Sequence, residues 1–143
     1  MKIILTGGAG YIGSHTAVEL INHGYDPIII DDFRNSNPLI VENIEKIVGK
    51  KIKLYNFNFG DKKKLYQVLK KENPYGIIHF AADKAVNESI LNPLMYYQNN
   101  IGNLINMLDV IKEFNINSFV FSSSCTVYGK LDNVPVNETA NLN

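Results

Sequence analysis

Apolar residues fall into two arrangements that take turns along the chain. Short runs occupy Lys2–Thr6 (Lys-Ile-Ile-Leu-Thr), 27–31 (Pro-Ile-Ile-Ile-Asp), 52–57, 76–80 (Gly-Ile-Ile-His-Phe) and 118–122 (Ser-Phe-Val-Phe-Ser). Between them lie longer stretches with apolar residues three or four positions apart. These are 12–23 (Ile12, Val18, Leu20, Ile21), 38–48 (Ile40, Val41, Ile44, Ile47, Val48), 62–71 (Leu65, Val68, Leu69) and 93–114 (Ile101, Leu104, Ile105, Leu108, Ile111). The first arrangement predicts strands and the second predicts helices. Gly24 and Gly49 stand where helices stop, and Pro93 opens the last helix at a position that tolerates proline.

The predicted order is therefore β-α-β-α-β-α-β-α-β. Strands that are apolar on both faces, not alternating, belong in a parallel sheet covered by helices on each side. No internal repeat or low-complexity linker interrupts the pattern, and 143 residues suit one domain. Residues 125–143, with Gly129 and Pro135, read as a polar loop. The expected fold class is α/β, a Rossmann-type doubly wound parallel sheet that stops in this chain after about the fifth strand. The apolar positions of 93–114 are expected to face the core.

The strongest local signal is Thr6-Gly7-Gly8-Ala9-Gly10-Tyr11-Ile12-Gly13-Ser14, directly after the first strand and opening the first helix. It holds both Gly7-x-x-Gly10-x-x-Gly13 and Gly8-x-Gly10-x-x-Gly13, and strand-turn-helix is the context that gives such spacing meaning. Gly7 and Gly8 permit a tight turn, Gly10 clears space for a pyrophosphate, and Gly13 lets the helix pack against the strand. The helix N-terminus offers free N–H groups and partial positive charge to a diphosphate. Asp31, 18 positions past Gly13 at the end of the second strand, is placed to accept hydrogen bonds from an adenosine ribose and to repel a 2′-phosphate. Asp32 stands beside it. The expected cofactor is NAD, not NADP, and residues 1–143 read as one NAD-binding domain.

Charge and composition narrow the partners. With 14 basic and 14 acidic residues, no basic surplus points to nucleic acid or an anionic membrane. The chain is 45% hydrophobic, yet no stretch approaches the ~18–20 apolar residues of a membrane span. The initial run is too short for a signal peptide, and the single cysteine, Cys125, suits a reducing compartment. A cytoplasmic location is expected. Cys125 reads as inert packing, and His15, His23 and His79 lack metal-ligand spacing, so no metal site is expected.

The glycine turn through His15, with Asn35-Ser36, His79-Phe-Ala-Ala-Asp-Lys-Ala-Val86, Tyr96-Tyr-Gln-Asn-Asn100 and Ser122-Ser-Ser-Cys-Thr-Val-Tyr-Gly129, resembles the extended short-chain dehydrogenase/reductase superfamily. Within it the chain is similar to UDP-glucose (UDP-galactose) 4-epimerases over essentially its whole length. The resemblance implies roles residue by residue. Tyr11 and Ile12 would lie along the pyrophosphate. Asp31, Asn35 and Ser36 would hold the adenosine ribose, and Asn58 and Phe59 would stand near the adenine. Phe80, Ala81 and Lys84 would line the nicotinamide side, with Asn99 and Ser122 also at the cofactor. Lys84 and Ser124 would face a UDP-hexose substrate, with Ser124 as the catalytic hydroxyl near sugar C4. The family reaction interconverts UDP-galactose and UDP-glucose by oxidation and re-reduction at C4, and its dimeric four-helix bundle implies a homodimer for the complete protein.

Related dehydratases carry an acid in the strand-five motif, where this chain has Ser124-Cys125-Thr126. That favours epimerase chemistry over dehydration or decarboxylation. The other alternative is a non-catalytic NAD-binding module. Departures from the family pattern are Asn58 where an acid is usual, Asp83 where an apolar residue is usual, Cys125 in place of alanine, and Gly102 one position early. Asp83 is expected to pair with a lysine or face solvent. The superfamily's Tyr-x-x-x-Lys base and its substrate domain are expected beyond Asn143, so the isolated chain is expected to be inactive.

Overall fold

Five parallel strands form the sheet of the computed structural model, which describes residues 1–129 and 135–142. In chain order the elements are β1 (Lys2–Thr6), α1 (Tyr11–Asn22), β2 (Asp26–Asp31), α2 (Leu39–Val48), β3 (Lys53–Asn56), α3 (Lys62–Glu72), β4 (Gly76–His79), α4 (Val86–Leu91), α5 (Pro93–Tyr97), α6 (Asn103–Ile111) and β5 (Ser118–Phe121). The sheet order is β3-β2-β1-β4-β5. The chain winds outward from β1 in one direction, returns, and continues from β4 in the other. The reversal falls between β1 and β4, where doubly wound sheets open a crevice at the carboxyl ends of their strands.

Successive side chains on each strand serve opposite layers. Ile3 and Leu5 of β1 and Ile29 of β2 pack with Ala17 of α1 and Val41 and Ile44 of α2. Ile4, Ile28, Ile30 and Ile77 pack on the other face with Leu65, Val68 and Leu69 of α3 and Met107 and Val110 of α6. Register brings Ile4 opposite both Ile28 of β2 and Ile77 of β4. This two-sided burial is why the strands read as continuous apolar runs.

Four elements differ from the sequence reading. The segment 93–114 is not one helix: α5 gives way to a π-helical turn, Gln98–Gly102, before α6. An extra short helix, α4, precedes it. The expected core face of this segment is also displaced. Met107 and Val110 are the buried residues, Leu104 and Ile111 only border the core, and Ile101, Ile105 and Leu108 are exposed. Residues Asn103–Ile111 form a regular helix that is apolar on two neighbouring faces, so a 3.6-residue count alone does not separate the face packed on the sheet from the face left exposed. β5 is apolar but exposed throughout, at the open edge of the sheet. Cys125–Tyr128 forms a single 3₁₀ turn with Cys125 exposed, not packed. Residues 130–134 and 143 of the expected loop lie outside the described residues. Among the described residues, no helix is long and apolar enough to cross a membrane.

At the amino-terminal edge of the sheet, a buried carboxylate ties β1 and β3 to the end of α3. Glu72, at the end of α3, accepts from Lys2 Nζ at 3.0 Å, Lys53 Nζ at 2.9 Å and Tyr55 Oη at 2.6 Å. Burial pushes its carboxyl up, but hydrogen bonds from Tyr55, Lys53 and Lys2 outweigh that and hold it at about 2, below its ordinary 4.5. Burial, reinforced by Glu72, pushes the Tyr55 phenol to about 12. The contribution of Glu72 is complete above its unfolded value of 4.5 and lost as pH falls toward 2. Glu72→Gln is expected to lower stability at neutral pH by ~1–3 kcal/mol, measured by urea unfolding. The difference from the unmodified chain should shrink as pH falls through that window.

Candidate functional site

The turn between β1 and α1 is shaped by backbone geometry. Gly7 adopts φ of 70°, a left-handed conformation that glycine takes without steric cost. It also lies so close to the loop after β4 that a Cβ there would stand 2.7 Å from the Ala81 nitrogen. Gly8 does not share the positive φ; a Cβ on it would meet Ile29 Cγ1 at 2.9 Å. A Cβ on Gly13 would strike the Gly7 carbonyl and Gly8 Cα. Gly13 therefore packs α1 against the turn itself, not against the strand as the sequence suggested. A Cβ on Gly10 would meet only Gly7 O, at 3.2 Å, so its other sides are open. Gly10 caps α1 without a side-chain hydrogen bond, and no acid occupies the first turn. The amides of Tyr11, Ile12 and Gly13 fall where an α-helix leaves its N–H groups without intrahelical partners. The Tyr11 and Ile12 side chains are exposed beside them.

Asp31 joins this turn to the next loop. Its Oδ2 accepts from Ala9 N at 3.0 Å; its Oδ1 accepts from Phe33 N at 2.9 Å and Ser36 Oγ at 2.8 Å. Two donors on Oδ1 use both its acceptor directions, and one remains on Oδ2. Phe33, at φ of 58°, is held in a conformation uncommon for a bulky residue, and its N–H bond to Asp31 helps fix it there.

The other expected residues divide into two groups. The first forms one network along the carboxyl edge of β2, β3 and β4. Asn58 donates through Nδ2 to Asp32 Oδ2 at 3.0 Å, and its Oδ1 accepts from Gly60 N at 2.9 Å and Asn103 Nδ2 at 3.1 Å. Asn35 Nδ2 donates to Asp83 Oδ1 at 2.9 Å. Asn99, 4% exposed, accepts through Oδ1 from Arg34 Nη2 at 2.9 Å and Asn103 Nδ2 at 3.1 Å. The π turn places Asn99 and Asn100. Asn100 clamps the loop after β4, accepting from Asp83 N and donating to Asp83 O, each at 2.8 Å. Phe80 begins that loop, its N–H donating to Thr6 O, and Ala81 lies against Gly7.

The second group stays outside the network. Phe59 is a core side chain that packs edge-on to His79. Lys84 is exposed before α4. Ser122 and Ser124 follow β5, and Ser124 Oγ is 2.8 Å from Thr126 Oγ1 and accepts from Thr126 N at 3.2 Å, capping its own short turn. Asp83 corrects the expectation made for it. It is 5% exposed and faces Asn35 and Arg34, not a lysine or solvent. Arg34, Asn100 and Asn103 are members that sequence reasoning missed. The available signal was polar: three asparagines at 99, 100 and 103 interrupt an otherwise apolar helical segment. A Tyr-x-x-x-Lys spacing does occur in the chain, at Tyr66 and Lys70. It lies on α3, where Tyr66 packs against Phe114, away from the glycine turn.

His79 at the end of β4 is buried, with Nδ1 2.5 Å from Thr6 Oγ1. Burial lowers its imidazole from 6.5 to about 4. A histidine kept neutral in the fold binds its proton more readily when unfolded, so stability falls as pH drops from 6.5 toward 4. His79→Gln is expected to flatten that part of the stability profile, which in the unmodified chain spans on the order of 3 kcal/mol. Urea midpoints at pH 7 and pH 4.5 measure it; equal slopes for both forms would contradict the assignment.

Known proteins resemble the chain over nearly its whole length. The GDP-mannose 4,6 dehydratase family matches residues 4–143. The UDP-glucose 4-epimerase of Schizosaccharomyces pombe is 48% identical over 127 residues, covering 89% of this chain and 36% of that protein. Among solved structures, the chain is similar to UDP-glucose 4-epimerase from Bifidobacterium longum in complex with NAD+ and UDP. The TM-score is 0.94 with 40% identity, over 100% of this chain and 43% of that one. It is also similar to the enzyme from Stenotrophomonas maltophila with bound NAD and formylated UDP-arabinopyranose, with TM-score 0.93 and 39% identity, over 99% and 42%. The chain thus spans less than half the length of these relatives.

Proposed function

This chain belongs to the family described as GDP-mannose 4,6 dehydratase, and on that premise we propose that it is the NAD-binding part of an enzyme that interconverts UDP-galactose and UDP-glucose. The observation that carries the reading is the junction of glycine turn and ribose acid, made through the Ala9 N–H and the Asp31 carboxylate. The residues fit the dinucleotide. The space beside Gly10 is open except toward Gly7 O, the first-turn amides of α1 suit a diphosphate, and Asp31 Oδ2 keeps one acceptor direction for a ribose hydroxyl.

In this reading Tyr11, Ile12 and Gly13 hold the diphosphate through first-turn amides, while Gly7 and Gly10, whose N–H groups donate to Ile30 O and Gly7 O, let it approach the turn. Asp31, with Asn35 and Ser36 fixing its loop, holds the adenosine ribose. Asn58 and the Phe59 backbone border the adenine. Phe80, Ala81, Lys84, Asn99 and Ser122 hold the nicotinamide half, with Lys84 and Ser124 toward the sugar. NAD, when bound, supplies the acceptance and return of hydride at sugar C4. Ser124 orients the C4 hydroxyl by hydrogen bonding.

The strand-five segment favours epimerisation over dehydration. Residues 122–129 contain no carboxylate to protonate a leaving hydroxyl. The test is incubation of the intact protein carrying this chain with UDP-galactose. UDP-glucose is expected, with no stoichiometric NADH. A 4-keto-6-deoxy product would support the dehydratase reading instead, and NAD binding without turnover would support a non-catalytic module.

A further inference from the structure

Arg34 and Asp83 belong to neither the glycine turn nor the strand-five segment. Arg34 sits on the loop after β2 and Asp83 on the loop after β4. Since β1 lies between those strands, their contact spans the sheet at the switch point. Asp83 is buried; its Oδ1 lies 3.6 Å from Arg34 Nη2, and its Oδ2 is buried with no hydrogen-bond partner among the described residues. A buried carboxylate with an unused oxygen is costly unless a cation stands by. Arg34 is that cation, and it also lies 3.7 Å from Asp32 Oδ2 through its Nε.

The same guanidinium decides the orientation of a neighbouring amide. Arginine donates hydrogen bonds and accepts none. Asn99 must therefore present its oxygen to Arg34 Nη2 at 2.9 Å, and Asn103 Nδ2 at 3.1 Å requires the same. The reversed amide would set donor against donor at both contacts. The Asn99 NH₂ group is left on the opposite side, where its one partner among the described residues is Asn100 Oδ1 at a long 3.3 Å. A buried NH₂ so weakly engaged is free to donate to a ligand.

We infer that Arg34 is a positioning residue of the cofactor cleft: anchored by Asp83, it locks the Asn99 carboxamide with its NH₂ group toward the dinucleotide. The inference rests on the NAD-binding reading above and names what orients one of its donors. Lysine at 34 would keep the charge but lose the planar fork that reaches Asp83 and Asn99 together.

The test is NAD titration calorimetry on the intact protein freed of cofactor, with thermal unfolding of each form. Arg34→Met leaves Asp83 as a buried unpaired charge and should lower both Tm and NAD affinity. Adding Asp83→Leu removes that charge, so Tm should recover while NAD affinity stays about tenfold below the unmodified protein. Asn99→Ala alone should also lose about tenfold, yet add almost nothing in the Arg34→Met/Asp83→Leu background, because both changes remove one donor. Arg34→Lys should keep part of the affinity.

Unmodified affinity in the double variant overturns the inference, and so does a triple variant whose losses multiply to about a hundredfold. A double variant whose Tm stays at that of Arg34→Met overturns the anchoring role of Asp83. Failure of the unmodified protein to bind NAD is a separate result, which would overturn the proposed function itself.

Discussion

The Asp31 carboxylate holds the cleft together. It ends β2, yet one oxygen receives the N–H of Ala9 from the turn after β1, and the other receives Phe33 N–H and Ser36 Oγ from its own loop. Charge-assisted hydrogen bonds of this kind are stronger than neutral ones, and here they fix two loops relative to each other before any ligand arrives. Preorganisation of that sort lowers the entropy cost of binding. The geometry also dictates chemistry: a carboxylate with one acceptor direction left takes a hydroxyl and repels a phosphate.

Around this point the sheet topology supplies the rest. Because β1 is central, its neighbours β2 and β4 carry their loops to either side of the glycine turn. Gly7 lets the β4 loop come within contact of the turn, since any side chain there would collide with Ala81 backbone. The π turn then lowers Asn99 and Asn100 onto these loops. Each step follows from a local constraint: a left-handed glycine, a buried acid, an extra residue in a helix. The edge at Glu72 is the structural counterpart at the other end of the strands, a buried charge that stabilises packing.

Much of this was legible in the sequence for specific reasons. Isoleucine runs such as Ile28-Ile29-Ile30 face helices on both sides, so they read as strands of a covered parallel sheet. The glycine spacing and Asp31 are visible because each meets a backbone demand that few other residues satisfy. Gly13 was found, but its contact was misassigned, since spacing cannot tell the turn from the strand beneath it. Helix periodicity placed Ile101, Ile105 and Leu108 inward because this helix is apolar on two neighbouring faces, and spacing alone does not say which one the sheet covers. Asp83 was read by its charge alone; its partners, Arg34 and Asn35, lie 49 and 48 positions away along the chain. Tertiary hydrogen-bond networks of this sort arise from topology and have no local sequence pattern.

The most direct measurement is the ratio of NAD to NADP affinity for the intact protein carrying this chain, by calorimetry at fixed ionic strength. If Asp31 receives the adenosine ribose, NAD should bind at least about tenfold more tightly, because a 2′-phosphate would meet a carboxylate already committed to three donors. Equal affinity for the two, or preference for NADP, would contradict the assignment of Asp31 as the ribose acid and with it the proposed orientation of the cofactor.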